Sequence, residues 1–217
     1  MNHNVPWTAW SKPLRSCASR DSDVASSLYL YYYSDGTVVF TKEGAVDTGK
    51  TLQASGRLCV SAVYKASGLI PGYANRAQMR SVSFAADMAN FTFVNMNYWF
   101  YGLSAVTSFS GLGNLARVRE MQYTFSSCSG ITSLDFRGFD PSRLTNLYLT
   151  FGSCSNLVTI YADSTWALPS SGITGSQTFY NCNALVGGNG TTYSSSRTGY
   201  AYMKIDATEN PGYLTAV

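Results

Sequence analysis

One spacing of apolar residues recurs four times between residues 93 and 185, and it constrains the fold more than any other feature of the chain. Six apolar positions follow one another at steps of 3, 4, 3, 3 and 3 residues, and three copies are complete. A fourth copy keeps only its second half, with glycines in place of the first apolar pair. The central phenylalanines lie 25, 26 and 28 residues apart and are Phe100, Phe125, Phe151 and Phe179. This period is typical of leucine-rich repeats and predicts a solenoid of strand-plus-helix coils.

Each copy divides into two parts with different patterns. Between Leu144 and Cys154, apolar steps of 3 and 4 fall on one face of a helix. Asp140 before Pro141 is the expected start of that helix, because an aspartate caps the free N–H groups and proline suits the first helical position. The second part alternates polar and apolar residues as strands do. The strands predicted in this way cover residues 132–136 and 158–162, with Leu134, Phe136, Ile160 and Ala162 pointing inward.

Two phrases resemble the repeat of the BspA-like leucine-rich-repeat surface proteins of bacteria. They read Phe-Ser-Ser-Cys-Ser-Gly-Ile at 125–131 and Phe-Gly-Ser-Cys-Ser-Asn-Leu at 151–157, close to the family core Phe-x-x-Cys-x-x-Leu. Residues 98–102, 185–193 and 210–213 look like the segments that open and close these repeats. The resemblance implies a non-enzymatic adhesion module on the outside of a bacterial cell. Its partner would be a host or matrix protein, or a cell-surface glycan.

The fold class expected from these patterns is an α/β solenoid, a short leucine-rich-repeat-like stack of strand-plus-helix coils with a β-rich N-terminal cap and a C-terminal cap. Two β-rich runs flank Asp35-Gly36, which is a strong hairpin signal. Val82 lies 27 residues before Phe109, so a strand near residues 79–84 is expected to start the first coil. Residues 202–206 are expected to form a capping strand. The predicted units are an N-terminal arm and hairpin cap, a solenoid of about four coils and a C-terminal cap, at 1–72, 73–186 and 187–217.

Composition narrows the class of partner. Only 12% of residues are charged, about half the usual share, and the net charge of +3 without a Lys/Arg cluster argues against nucleic acid. The chain contains no run of 18 apolar residues, so no membrane-spanning helix is predicted. The first residues lack the basic and apolar regions of a secretory signal. Two routes to the outside therefore remain open: export within a longer precursor, or presentation on a phage particle as a host-recognition module. In both cases, an extracellular or surface location is expected.

The cysteines are expected to be structural. The chain has five, and Cys128, Cys154 and Cys182 share one repeat position. Stacked parallel side chains aim badly for a disulfide, so buried thiols that act as small hydrophobes are the favoured interpretation. Zinc is not expected, because Cys-x-x-Cys pairs are lacking and the chain has a single histidine.

A phosphate-loop pattern occurs at residues 44–51. Gly44, Gly49, Lys50 and Thr51 satisfy G-x-x-x-x-G-K-[ST], in which the lysine holds a phosphate and the threonine a magnesium ion. Gly56 follows too soon for a stable helix, and residues 59–64 have a strand pattern. A chance match in a glycine-rich loop is favoured over a nucleotide-binding protein, and no cofactor is expected.

Catalytic groups are scarce. His3 is the only histidine, and its place near the chain start makes serine or cysteine hydrolysis improbable. Asp135 and Asp163 would project from neighbouring coils at a spacing that glycoside hydrolysis can use, but nothing nearby raises the pKa of an acid. The sequence therefore predicts no catalytic residue.

The outward strand positions are the predicted binding face. Alternation places small hydroxyl residues and a few larger ones on one continuous sheet surface, and extended surfaces of stacked repeats bind partners through many modest contacts. Tyr161 and Arg137 are the expected anchors by residue type. The complete predicted face comprises Ser108, Ser110, Ser133, Asp135, Arg137, Thr159, Tyr161 and Asp163.

Overall fold

The structure is a computed structural model that describes residues 27–42, 49–59, 75–90, 94–115 and 117–217. Several predictions lie outside these residues. They concern the N-terminal arm with His3, the first apolar position of the first copy, Phe93, and most of the phosphate-loop pattern.

Ten strands have bounds within the described part. They are β1 Ser27–Tyr33, β2 Thr37–Thr41, β3 Leu52–Cys59, β4 Ser81–Phe84, β5 Val94–Asn95, β6 Ser108–Ser110, β7 Val118–Glu120, β8 Ser133–Asp135, β9 Thr159–Ala162 and β10 Leu214–Ala216. They form a five-stranded sheet in the order β3-β1-β2-β4-β6, a three-stranded sheet in the order β10-β9-β8, and the pair β5-β7.

The five-stranded sheet joins the N-terminal hairpin to the repeats. β1 and β2 are antiparallel around Asp35 and Gly36, which confirms the predicted hairpin. β2 then pairs in parallel with β4, and β4 pairs in parallel with β6. Val82 lies opposite Phe109, as the 27-residue spacing predicts. The sheet is therefore antiparallel on the hairpin side and parallel on the repeat side.

The other sheets are parallel and follow the repeat period. β8 pairs with β9 and β9 with β10, which confirms the strands predicted near 132–136 and 158–162. Leu134, Phe136, Ile160 and Ala162 are buried, as alternation requires. On another side of the repeats, β5 pairs with β7, and single bridges continue this ladder through Asn146 to Thr174.

The predicted strand-plus-helix architecture is wrong. No described residue lies in an α-helix, and the helices with bounds in the described part are 3₁₀ helices of three to five residues: Ala86–Asn90, Leu112–Asn114, Pro141–Arg143 and Tyr200–Tyr202. None of the described helices is long and apolar enough to cross a membrane. The domain bounds at 72 and 186 stay predictions.

The predicted helix between Leu144 and Cys154 fails after its first turn. The Asp140 carboxylate does accept a hydrogen bond from the Ser142 N–H at 2.9 Å, and Pro141 begins a 3₁₀ helix. Leu144 then leaves the helix in an extended conformation. The cap signals are therefore real, but they start one short turn and not a helix of three turns.

Left-handed residues explain why a helix cannot form. The residue two before the repeat phenylalanine has a positive φ in three repeats, at Tyr98, Tyr123 and Leu149. The residue two after it has a positive φ in all four, at Gly102, Ser127, Ser153 and Asn181. An α-helix needs every residue right-handed. The chain instead makes successive tight turns, each of which sends one apolar side chain inward every three or four residues.

The backbone groups that a helix would use internally are used between repeats. Alternate N–H groups of one repeat donate to carbonyls of the next, at 2.8–2.9 Å for the pairs Met96 to Glu120, Tyr98 to Gln122, Phe100 to Thr124 and Gly102 to Ser126. The same pattern links the second repeat to the third and the third to the fourth. A buried backbone group must have a partner, so each repeat requires its neighbour.

Side chains on the turns complete this bonding. The Cys128 thiol donates to the Phe100 carbonyl, Cys154 to Phe125 and Cys182 to Phe151, each at 3.0 Å. All three thiols are free and buried. In the last three repeats, the position three after the phenylalanine therefore holds a small residue that fits the core and carries a weak donor, whereas the first repeat has a buried Leu103 there.

A column of aromatic rings runs through the centre of the repeats. The four repeat phenylalanines stack with ring centroids 5.5, 5.7 and 5.4 Å apart. Phe40 of β2 meets the first of them edge-on at 5.7 Å, and Tyr213 meets the last at 5.0 Å. The hairpin and the C-terminal segment thus bury the two ends of the column.

Close approach of the repeats depends on particular glycines. A Cβ on Gly113 would lie 2.1 Å from the Arg137 carbonyl oxygen, and one on Gly130 would lie 2.5 Å from the carbonyl oxygens of Ser104 and Val106. Real Cβ atoms do not approach so closely. Contacts between backbone and backbone at these points therefore exclude any side chain.

The C-terminal segment is fixed by a buried carboxylate. Asp206 accepts hydrogen bonds from the N–H groups of Asn189, Thr191 and Gly212 and from the Thr191 hydroxyl, at 2.6–3.1 Å. Burial acts to raise the pKa of Asp206, but these hydrogen bonds outweigh it and lower the pKa below its ordinary value. The predicted capping strand at 202–206 is wrong, since the strand that pairs with β9 is β10.

We expect the three stacked thiols to resist modification in the folded protein. Burial raises the pKa of Cys128 and Cys182 to about 12, so only on the order of 10⁻⁴ of each is thiolate at pH 8. In a variant with Cys17→Ser and Cys59→Ser, Ellman's reagent should find no reactive thiol at pH 8 and three after unfolding in guanidinium chloride. Rapid reaction of the folded variant would contradict the buried arrangement.

Replacement of Gly113 by alanine should destabilise the fold. The added methyl group meets a backbone carbonyl that cannot move without separating two repeats, so we expect a loss of roughly 1–3 kcal/mol or more in urea unfolding. Gly199→Ala is the matched control, because its nearest neighbour would lie at an ordinary 3.5 Å. The control should stay within about 0.5 kcal/mol. Equal stability of the two variants would show that the contact at Gly113 is not tight.

Asp206→Asn should destabilise the fold in a pH-dependent way. The folded pKa of Asp206 is lower than the unfolded one, so its contribution is present above about pH 4 and is lost as the pH falls through the folded pKa. We expect a loss of roughly 1–3 kcal/mol at pH 7, because the amide cannot accept from all the donors. Chemical denaturation at pH 7 and pH 3 should show a smaller difference between wild type and variant at pH 3. A difference independent of pH would overturn this role.

Candidate functional site

The predicted binding face is divided between two sheets. Ser108 and Ser110 lie on β6, the last strand of the five-stranded sheet, where they pair with Ser81 and Ser83 of β4. The other predicted residues lie on or directly after β8 and β9. No pairing joins β6 to β8 among the described strands, so the predicted surface is not one continuous sheet.

The structure brings four of the predicted residues together around Arg137. Asp135 lies opposite Tyr161 in the register of β8 and β9. Asp163, just after β9, accepts a hydrogen bond from the Gly138 N–H at 2.7 Å. We call Asp135, Arg137, Tyr161 and Asp163 the Arg137 cluster.

The Arg137 side chain is held by two-point contact with Asp135. Its Nε lies 2.9 and 3.0 Å from the two carboxylate oxygens, and its Nη2 lies 2.5 Å from Oδ2. The Arg137 backbone N–H also donates to Asp135 at 3.0 Å. Such paired bonds fix the plane of the guanidinium. The arginine is nevertheless 53% exposed, so its other face is open to a partner.

Asp135 and Arg137 stabilise each other's charged forms. Hydrogen bonds from Arg137 hold the pKa of Asp135 below its ordinary value, although burial opposes them. The same contact with Asp135 raises the pKa of Arg137, with smaller contributions from Asp163 and Tyr161. Two carboxylates and one guanidinium give the cluster a formal charge of −1. The lowered pKa of Asp135 disfavours this carboxyl as the general acid of a carboxylate pair.

A shallow open depression connects the cluster with the end of β6. It has a volume of about 350 Å³, and its lining includes Ser110, Asn114, Asp135 and Arg137. Its lining also includes Gly113 and Gly138, where the backbones of two segments approach closely. Three predicted residues therefore share one concave surface, although their strands belong to different sheets.

The remaining predicted residues lie apart from this depression. Ser133 and Thr159 face each other in the β8–β9 register, before the cluster. Ser108 lies opposite Ser81, on the five-stranded sheet. These positions present hydroxyl groups to solvent but do not converge on a common point with Arg137.

Lys50 of the phosphate-loop pattern is engaged in the hairpin. Its Nζ lies 3.1 Å from the Asp35 carboxylate and donates to the Thr37 hydroxyl at 2.9 Å. β3 begins directly after Thr51, where a phosphate loop would begin a helix. In the part of the chain that the structure describes, no group of three or more His, Cys, Asp or Glu residues is placed to hold a metal ion.

A cluster of tyrosines was missed by sequence reasoning. The rings of Tyr98 and Tyr123 stack at 4.7 Å, and Tyr101 and Tyr148 meet Tyr123 edge-on. Burial, together with a hydrogen bond to Tyr148, raises the pKa of Tyr123 to about 12. The available signal was a tyrosine two residues before the phenylalanine in two successive repeats. Since the stacked rings cover one another's faces, the cluster mainly strengthens contact between repeats.

Comparison of the chain with protein-family models, with curated proteins and with solved structures finds no match.

Proposed function

We propose that this chain is a non-enzymatic recognition module that binds a protein or a glycan through the Arg137 cluster and the adjoining depression. The observation that supports the proposal is the held guanidinium of Arg137, which is exposed, charged and already fixed in orientation by Asp135. A group that is ordered before binding loses little entropy when a partner arrives.

The surroundings of Arg137 suit polar recognition. The guanidinium uses Nε and Nη2 for Asp135, and Nη1 carries two further N–H groups that can donate to a carbonyl or a sugar hydroxyl. Tyr161 is 36% exposed and offers both a ring and a hydroxyl. Arginine and tyrosine are the residue types that most often dominate binding energy at interfaces.

The setting of the module follows from the resemblance of the Phe-x-x-Cys-x-x-Leu core to bacterial surface proteins. We propose adhesion at a cell surface as its role. A phage-borne host-recognition module is the alternative and would use the same face.

The cluster can be tested without damage to the fold. Arg137 and Asp135 form an exposed ion pair, and such pairs contribute about 0–1 kcal/mol to stability. Loss of binding in a variant at this site can therefore be separated from unfolding by a thermal melt.

We expect Arg137→Ala and Tyr161→Ala each to weaken binding tenfold or more, which corresponds to about 1.4 kcal/mol or more. The purified chain is first applied to an array of glycans and matrix proteins. The affinity for the strongest array ligand is then measured by biolayer interferometry for wild type, both single variants and the double variant.

Arg76→Ala and Tyr180→Ala are the matched controls, because both residues are exposed and lie outside the cluster. They should bind as wild type does. Equal affinity of wild type and the Arg137→Ala, Tyr161→Ala double variant would refute this site. It would point instead to a purely structural role for the face.

A further inference from the structure

A second concave surface lies on a different side of the repeats, between β7 and the segment that precedes Ile173. It is an open cleft of about 290 Å³, lined by Arg119, Ser142, Arg143, Leu144, Thr145, Pro169, Ser171 and Gly172. This lining contains two arginines and three hydroxyl residues, and it contains no carboxylate. None of these residues belongs to the Arg137 cluster.

The bonding between repeats fixes the walls of the cleft. The Thr145 N–H donates to the Arg119 carbonyl at 2.8 Å, and the Thr174 N–H donates to the Thr145 carbonyl at 2.8 Å. The Thr145 hydroxyl also lies 3.1 Å from the Arg119 carbonyl and 2.9 Å from the Glu120 carboxylate. Three successive repeats are therefore held in register here, and the backbones that carry the two arginines are ordered.

The fourth repeat opens the cleft because it lacks an apolar side chain at this point. Gly172 occupies the repeat position that Val118 and Leu144 fill in the second and third repeats, and it has a φ of 79°. A Cβ placed on Gly172 would meet nothing within 4 Å. A side chain at this position would therefore extend into open space, whereas Leu144 itself is buried.

The nearby acids are already engaged. Glu120 accepts the Thr145 hydroxyl, and Asp140 accepts the Ser142 N–H. Hydrogen bonds from Ser142, together with the charge of Arg143, lower the pKa of Asp140, although burial opposes them. These two carboxylates reduce the positive charge around the cleft without entering its lining.

We propose that this cleft binds a tetrahedral oxyanion, a sulfate or phosphate group, between Arg119 and Arg143. Guanidinium groups match the oxygens of such anions with paired N–H donors, and the hydroxyl of Ser171 can donate to a further oxygen. The volume approaches the lower end of small-molecule sites, so the cleft also has room for a sugar that carries the anion. The inference goes beyond the proposed function, because it uses none of the same residues.

The test uses the full chain labelled with ¹⁵N and four probes, which are sodium sulfate, sodium phosphate, galactose 6-sulfate and galactose. We expect saturable shifts of the amide signals of Arg119, Thr145 and Gly172 with the sulfate and phosphate probes, and no shifts with galactose. Tighter binding of galactose 6-sulfate than of sulfate identifies a sugar-borne ester as the ligand, and equal binding identifies the free ion. Shifts that do not saturate, or that lie elsewhere, overturn the proposal.

Variants separate charge from shape. Arg119→Gln and Arg143→Gln should each lower the affinity about tenfold, because each removes a charge-assisted contact. Ser171→Trp should abolish binding by filling the cleft while the charge is unchanged. Unaltered affinity in the double arginine variant, or in Ser171→Trp, rejects the cleft as the site.

Two further variants serve as controls. Arg76→Gln removes one positive charge elsewhere and should leave the affinity unchanged, and Arg137→Ala should also leave it unchanged. Retained oxyanion binding in Arg137→Ala keeps this inference distinct from the Arg137 cluster, so either site can fail without the other.

Discussion

The hydrogen bonds that pass from each repeat to the next are the constraint on which the rest of the structure depends. Within a helix, a backbone N–H finds its carbonyl four residues away, and the helix satisfies itself. Here the N–H of Phe100 reaches Thr124, that of Phe125 reaches Thr150, and that of Phe151 reaches Thr178. One repeat alone would leave these groups unpaired and the phenylalanines exposed. Backbone bonding and apolar burial therefore demand the same neighbour.

This mutual dependence makes the two ends critical. At the first repeats, the hairpin supplies β2, and the Phe40 carbonyl accepts from the Ala85 N–H at 2.9 Å. At the last repeat, the Phe179 N–H donates to Thr198 and Tyr213 covers the phenylalanine ring. Each end segment supplies a backbone hydrogen-bond partner and an aromatic side chain. An internal repeat receives these same two contacts from its neighbouring repeat. Asp206 then ties the C-terminal segment together with four hydrogen bonds.

The sequence predicts the strands well because their signal is unambiguous. Alternation at β8 and β9 fixed which residues point inward, and the Asp35-Gly36 turn fixed the hairpin register. The helix prediction failed because apolar steps of 3 and 4 also arise from successive three-residue turns. Only the residue types could have distinguished these turns from a helix. Ser127, Gly130 and their neighbours are poor helix formers, and left-handed positions two residues either side of a phenylalanine cannot be read from apolar spacing alone.

The candidate site was only partly accessible to the same reasoning. Outward positions on β8 and β9 follow from alternation, so Asp135 and Tyr161 could be placed side by side. The absence of pairing between β6 and β8 could not be predicted from alternation. It accompanies the close approach of the segment with Gly113 to the backbone at Arg137. That approach replaces a flat sheet with a depression.

The same repeat bonding is compatible with both of the proposed binding surfaces. The demands that recur from repeat to repeat fall on inward and backbone groups, such as the phenylalanine ring, the cysteine thiol and the alternate N–H groups. Exposed side chains such as those of Arg143 and Arg137 contribute little to stability, while the backbone of the repeats is held by the bonding between them. A missing apolar residue in one repeat, as at Gly172, then creates a cleft without loss of the ladder. Exposed positions can therefore change by substitution while the stack itself stays intact.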